Sequence, residues 1–438
     1  MRIIYIFFSI LLLGIFSILL LGIFSIHFNI LGTKDKIYST YPNLELRKKM
    51  FKKYSVMVNL ENDYNVNFLP ETEFVNINFQ KVKLNFSDKF KPESQKGIYG
   101  GSRSKKIFFI ELIENDIWIV DLFGHVYVNS IKELEELKNK VNLGQHYSSN
   151  KDENLTLKIV DSNLKSKFIL DTLFYEKNLY IYYKEKINNC WNIGIAVAKI
   201  DLKFLDFQKF FKSDECQLNN VEIGRMQPFT HNDVKGILFS SNSFAQDKPE
   251  EDLAQNDNSI YGKLNFINLE DKKHHIFSKG HRSLQGLYVE NELILGVEHG
   301  PRGGDEINKI SFGENYGWPI SSYGEKYFVG YSNNPYYFKD HETHGFKEPL
   351  FSFVPSIAIS EIIKLPNNFS NHYIDNFILS TLSDKSLYRI KFDKNYSRVL
   401  FFEKIYIGQR IRDLKYHNDK KTIFLALENN GEIGILSK

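Results

Sequence analysis

The sequence predicts an all-β domain of propeller type, preceded by one N-terminal transmembrane helix. Three observations predict it. Short apolar runs rich in Ile, Val, Phe and Tyr recur roughly every ten residues through most of the chain, too short for helices and suited to a pleated, half-buried surface. Asn, Asp, Gly and Lys break these runs apart, as turns require. Ahead of them lies one long uncharged segment. An all-β chain of 438 residues with strands at this spacing fits a β-propeller, with a large sandwich as the competing arrangement.

The N-terminal segment comes first. After Arg2, residues Ile3 to Ile26 carry no charge, and their core is a tandem SILLLGIF at Ser9–Phe16 and Ser17–Phe24. About 20 apolar residues cross a bilayer, whereas a cleaved signal core is shorter and ends at a small-residue site. His27 to Leu31 offer no such site. Residues 1–33 therefore read as an uncleaved signal anchor. Arg2 alone precedes it, while Lys34, Lys36, Arg47, Lys48 and Lys49 follow, which by charge favours a cytoplasmic domain. Residues 34–53 are polar and charged and read as a linker or a short membrane-surface helix. Residues 54–438 form the β domain.

The strand candidates are Ile107–Ile113, Ile117–Leu122, Leu179–Tyr183, Ile193–Ile200, Ile237–Ser241, Tyr288–Val297, Phe377–Leu382, Leu387–Phe392, Val399–Phe402 and Ile423–Leu427. Asn178, Gly236, Asn291 and Asn430-Gly431 are the expected turn residues. One helix is expected, over Ile131–Leu143, with a charged face. The formal net charge is +3, which gives no case for a nucleic-acid partner. Cys190 and Cys216 fit no metal spacing and read either as a disulfide or as two free thiols.

The densest chemical signal is Glu298 to Asn308, EHGPRGGDEIN, followed by Tyr316-Gly317-Trp318-Pro319. Gly and Pro at this density exclude a helix or strand interior. The segment must be a shaped loop that exposes main-chain carbonyls beside carboxylates, which suits a hard cation such as calcium.

This loop, with Gly280 to Leu287 upstream and Val354 to Ile357, Ser383 to Ile390 and Gly408 to Asp413 downstream, resembles the aldose sugar dehydrogenases of the glucose/sorbosone dehydrogenase family, which use pyrroloquinoline quinone (PQQ). The likeness covers about residues 258–431. It implies six blades and a calcium that carries PQQ, held by the main-chain carbonyls of Gly300 and Pro301. It implies cofactor contacts from Arg282, Gln285, Lys385, Arg410 and Arg412, Arg being suited to carboxylates through its planar fork. Ser283 stands where the family has Asn. Glu306 and Tyr316 match positions of a second, structural calcium. The resemblance also implies a small-molecule sugar or alcohol as substrate. It places the propeller in the periplasm, on the outer side of the cytoplasmic membrane, against the charge rule.

The base is the departure. The family has His in an H-x-G-G-R segment. Here Val221-Glu222-Ile223-Gly224-Arg225 keeps the Gly-Arg but carries Val221 at the His position. His231 and Glu222 are the substitute candidates. His231 lies in a turn-like context, and Glu222 would face the other side of a strand. Two readings follow. One is a PQQ-dependent oxidoreductase acting on CH–OH groups. The other is a non-catalytic, membrane-anchored propeller that binds a sugar, an ion or a protein. A calcium-dependent lactonase-like propeller is a third, for which no motif speaks. From sequence alone, Arg410 and Arg412 would look the same as a pair of exposed edge charges.

Overall fold

The computed structural model describes residues 67–69, 78–86, 106–137, 139–141, 154–164, 167–188, 190–217, 224–243, 252–326, 337–369 and 373–437. Its strands form six sheets. The first strands of the sheets are Phe108–Ile113, Phe168–Tyr175, Met226–His231, Leu284–Glu290, Ile359–Lys364 and Ile411–His417. Each lies beside the next, and the last returns to the first. The domain is therefore a six-bladed β-propeller with these strands around its axis, and the sandwich alternative falls.

Apolar side chains fill the space between neighbouring blades. Phe109, Trp118 and Val120 of the first blade pack with Ile169, Leu179 and Ile181 of the second. Phe108 and Ile110 point the other way, onto Phe424 and Ile433 of the sixth. This opposition follows from the two-residue period of a strand, which sends successive side chains to opposite faces. Strands buried on both faces lose the polar alternation of a one-sided sheet, which is why these segments appear as continuous apolar runs. The ring closes by pairing Asn78–Asn85 with the C-terminal Glu432–Ser437, antiparallel, with Phe79 opposite Leu436.

Several expectations are corrected. The helix covers only Ile131–Glu136, capped by the Ser130 hydroxyl, which accepts from Lys132 N. Beyond it Asn139–Val141 pairs with Asn78–Asn85, so strand pairing overrides the helical pattern. Gly236 is not a turn residue. It lies inside Val234–Ser241, where a Cβ would come 2.2 Å from the Phe266 ring, and Asn232 and Asp233 make the turn with positive φ. Tyr288–Val297 divides into Leu284–Glu290 and Leu293–Glu298, with Asn291 at the turn. Cys190 and Cys216 are joined in a disulfide, with their Cα atoms 5.6 Å apart. The anchor and linker segments lie outside the described residues. Among the described residues no helix is long and apolar enough to cross a membrane.

Candidate functional site

The loop between Leu293–Glu298 and Asp305–Lys309 is shaped by one carboxylate. Asp305, 1% exposed, accepts hydrogen bonds from Gly300 N at 3.1 Å, Ser356 Oγ at 2.8 Å, Ile357 N at 2.9 Å and Ala358 N at 2.6 Å. It clamps the Gly-Pro loop to the Pro355-Ser356 turn. Its oxygens are committed to that clamp, so main-chain oxygens remain as the donor set of the loop. They are crowded together: a Cβ on Gly300 would lie 2.1 Å from Gly304 O and 2.3 Å from Gly303 O. Among the described residues no group of three or more His, Cys, Asp or Glu side chains is placed to hold a metal. A site of main-chain oxygens fits a hard cation.

Beside the loop, Glu298 and Glu306 are both buried and share Asn308 Nδ2, at 2.8 and 3.3 Å. Burial alone would raise Glu298, but His281, the Arg282 N–H and Asn308 outweigh it and hold the carboxyl below its usual range. Glu306 is pushed well above that range, first by burial and then by the charge of Glu298. A cavity of about 10 Å³ borders both carboxylates and Tyr316, room for about one water or bare ion. The Tyr316 hydroxyl is committed elsewhere: it donates to Lys309 O at 2.8 Å and accepts from Ser311 N at 2.9 Å. Only the Tyr316 main chain is then available as a ligand. Two buried carboxylates with one shared amide fit a cation between them.

The cationic residues assemble around the same mouth. Arg282 donates to His299 O at 3.0 Å, and its guanidinium lies 5.4 Å from the Trp318 ring centroid. His299 reaches the next blade, with Nε2 2.6 Å from Ile359 O. Ser360 Oγ donates to Ile411 O at 2.5 Å, linking that blade to the last. Gln285 Nε2 donates to Ser283 Oγ at 2.8 Å, so the Ser found in place of Asn engages a neighbouring cofactor candidate. Lys385 lies in the turn before Ser386–Phe392, and its carbonyl accepts from Ile407 N and Gly408 N at 3.0 Å each. Arg410 and Arg412 both pair with Glu428. They are not edge charges. Two guanidinium groups facing one carboxylate leave a positive balance suited to an anionic ligand. Arg282, Gln285, Gly300, Pro301, Lys385, Arg410 and Arg412 thus lie at or beside the entrance ends of the inner strands of the last three blades.

His231 does not join them. It ends Met226–His231, roughly 17 Å along the strand from the entrance end, and packs against Phe277 and Phe312 at 5.4 and 4.7 Å between ring centroids. The hairpin geometry sends it to the opposite face of the propeller. Val221 and Glu222 lie outside the described residues. Sequence reasoning missed Arg225, Asp305 and Glu428 as organisers. Arg225, 1% exposed, ion-pairs with Asp171 at 2.8 Å and Glu361 at 2.9 Å, with Asp413 at 3.5 Å. Gly224-Arg225, retained beside the changed Val221, was the available signal.

Comparison with known proteins agrees with this fold. A family model described as Glucose / Sorbosone dehydrogenase matches residues 169–435. The uncharacterized protein slr1608 of Synechocystis is 30% identical over 160 residues, 36% of this chain and 38% of that protein. Aldose sugar dehydrogenase YliI of Escherichia coli is 31% identical over 265 residues, 55% of this chain and 67% of that protein. The PQQ-bound aldose sugar dehydrogenase from Streptomyces coelicolor superposes with a TM-score of 0.50 at 14% identity, covering 82% of this chain and 98% of that one. The chain therefore spans little more than a third of the first relative and about two thirds of the second. With well over half of its residues inside the family model, the chain belongs to the glucose/sorbosone dehydrogenase family.

Proposed function

We propose that the protein is a PQQ-dependent sugar dehydrogenase-like quinoprotein whose cofactor sits at the mouth of the propeller. The observation that carries this reading is that Arg282, Gln285, Lys385, Arg410 and Arg412 stand, with the Asp305-clamped loop, at the same end of the last three blades. When bound there, the quinone supplies a hydride acceptor. Arg410 and Arg412 bind and orient its carboxylates, Arg282 and Lys385 add positive charge, and Gln285 offers an amide. A calcium ion would be held by the Gly300 and Pro301 carbonyls. Glu298, Glu306 and the Tyr316 main chain would hold a second, structural one. The reducing substrate is the hydroxyl of a sugar.

A second reading is a binding propeller without turnover. Val221 in place of the family His favours it, as does the position of His231 on the opposite face. Loss of a general base typically costs 10²–10⁴-fold in rate. The Cys190–Cys216 disulfide supports an oxidising, extracytoplasmic location, with residues 1–33 as the anchor.

Titration of the purified protein with PQQ and calcium tests the reading. A shifted quinone absorption that disappears with chelator is expected. No shift at any calcium concentration overturns the quinoprotein assignment. Dye-linked oxidation of aldoses by the loaded protein then separates the enzyme from the binding module.

A further inference from the structure

Each of the last three blades carries an irregularity at the start of its inner strand. The ladder between Leu284–Glu290 and Leu293–Glu298 pairs Leu284 with Glu298 and then Gly286 with Val297, skipping Gln285. The next blade pairs Ile359 and then Glu361, skipping Ser360. The last pairs Ile411 and then Asp413, skipping Arg412. A bulged residue leaves the ladder, and its carbonyl needs another donor.

All three carbonyls find the same one. Arg225 Nε donates to Gln285 O at 2.7 Å, and Nη2 donates to Arg412 O at 2.7 Å and to Ser360 O at 3.2 Å. The guanidinium is aimed from its other side by Asp171, which accepts from Nη1 at 2.8 Å and from Met226 N at 2.7 Å. It lies over the Phe109 ring at 5.6 Å. A single planar fork thus touches the inner strand of every other blade, and no other residue type offers that geometry. Two of the three bulged residues, Gln285 and Arg412, are candidate cofactor contacts.

We infer that Arg225 is a positioning residue that holds the bulges at Gln285, Ser360 and Arg412 and so fixes the floor of the proposed cofactor site. The inference rests on the quinone reading for its purpose, though not for its geometry. It assigns the retained Gly-Arg a task separate from the base that the neighbouring Val221 replaces.

The test uses the full protein carrying Arg225→Lys, which keeps the charge and loses the fork. Amide hydrogen exchange is followed by blade, and PQQ affinity is measured with calcium present. Exchange is expected to rise at least tenfold in segments 284–287, 359–362 and 411–414 and to stay unchanged in the outer strands. Quinone affinity is expected to fall at least tenfold. Leu436→Ala, a destabilising change at the ring closure, should leave that affinity unaltered. Unchanged exchange at the three bulges, or a uniform rise across all blades, overturns the inference. If the unmodified protein binds no quinone, the functional reading fails while the exchange pattern still decides the role of Arg225. Should Arg225→Lys not fold, Asp171→Asn, which removes the group aiming the guanidinium, must give the same local pattern.

Discussion

Arg412 addresses Glu428 through two nitrogens at once, with Nε at 2.9 Å and Nη2 at 2.7 Å from the same oxygen. Arg410 takes the other oxygen of that carboxylate. Glu428 is fully buried, so the two guanidinium groups depend on it to be held without a bound anion.

Replacing Glu428 by Gln should therefore be costly. It leaves two cations facing a neutral amide, and removing one partner of a buried pair costs about 3–5 kcal/mol. Urea unfolding should register a loss of this size. A loss under 1 kcal/mol would mean that water already screens the arginines.

Gly300→Ala probes the loop. The added methyl would meet two carbonyl oxygens at 2.1 and 2.3 Å, and main-chain oxygen cannot retreat as a flexible side chain can. The loop must open and its oxygens disperse. Calcium-dependent protection of the loop, followed by limited proteolysis, should vanish while the circular dichroism of the propeller persists. Retention of calcium protection would place the cation elsewhere.

Glu111 makes stability depend on pH. Burial, then the charges of Asp413 and Asp171, push it up to about 7, against the pull of Lys415. Glu361 is raised to about 7 by burial and Asp413, although Arg225 opposes this. The folded chain binds these protons more tightly than the unfolded chain. The contribution is thus present below about pH 4.5 and is lost as pH rises through about 7. Each group is worth roughly 3 kcal/mol at most. Glu111→Gln should flatten the fall in unfolding free energy between pH 5 and pH 8. An unchanged slope would show that Glu111 stays ionised throughout.

The disulfide closes a loop with a sequence separation of 26. Loop-closure entropy assigns such a bridge about 3.5 kcal/mol. The Cys190→Ser, Cys216→Ser double variant should lose stability on that scale. Mild reductant should lower the melting temperature of the native protein and leave that of the variant unmoved.

The strands were legible because burial between blades leaves long apolar runs, as at Phe108–Ile113 and Thr422–Leu427. The helix at Ile131 is shorter than its charged period predicts because a helical period and a short edge strand look alike until a partner strand is known. Gly236 misled for a related reason: its lack of a side chain serves the Phe266 ring, and nothing nearby in sequence says so. At the mouth, the Gly-Pro loop and the arginines stood out as local motifs. Their organisers did not. Arg225 meets Arg412 across 187 positions, and Asp305 meets Ala358 across 53. Such pairings are fixed by the circular arrangement of the blades, which only the folded chain reveals.

Phe79 waits opposite Leu436, so the outer strand Asn78–Asn85 can join the closing blade only when almost the whole polypeptide is present. Until then Val82 and Leu84 lack Phe424 and Ile433, their eventual neighbours. The early blades can assemble as they emerge, but the circle shuts last, by a contact between the two ends. Contacts so distant along the chain form slowly, and an unfinished chain presents a bare sheet edge meanwhile. Removing Glu432–Ser437 would therefore leave an open, adhesive intermediate rather than a slightly smaller ring.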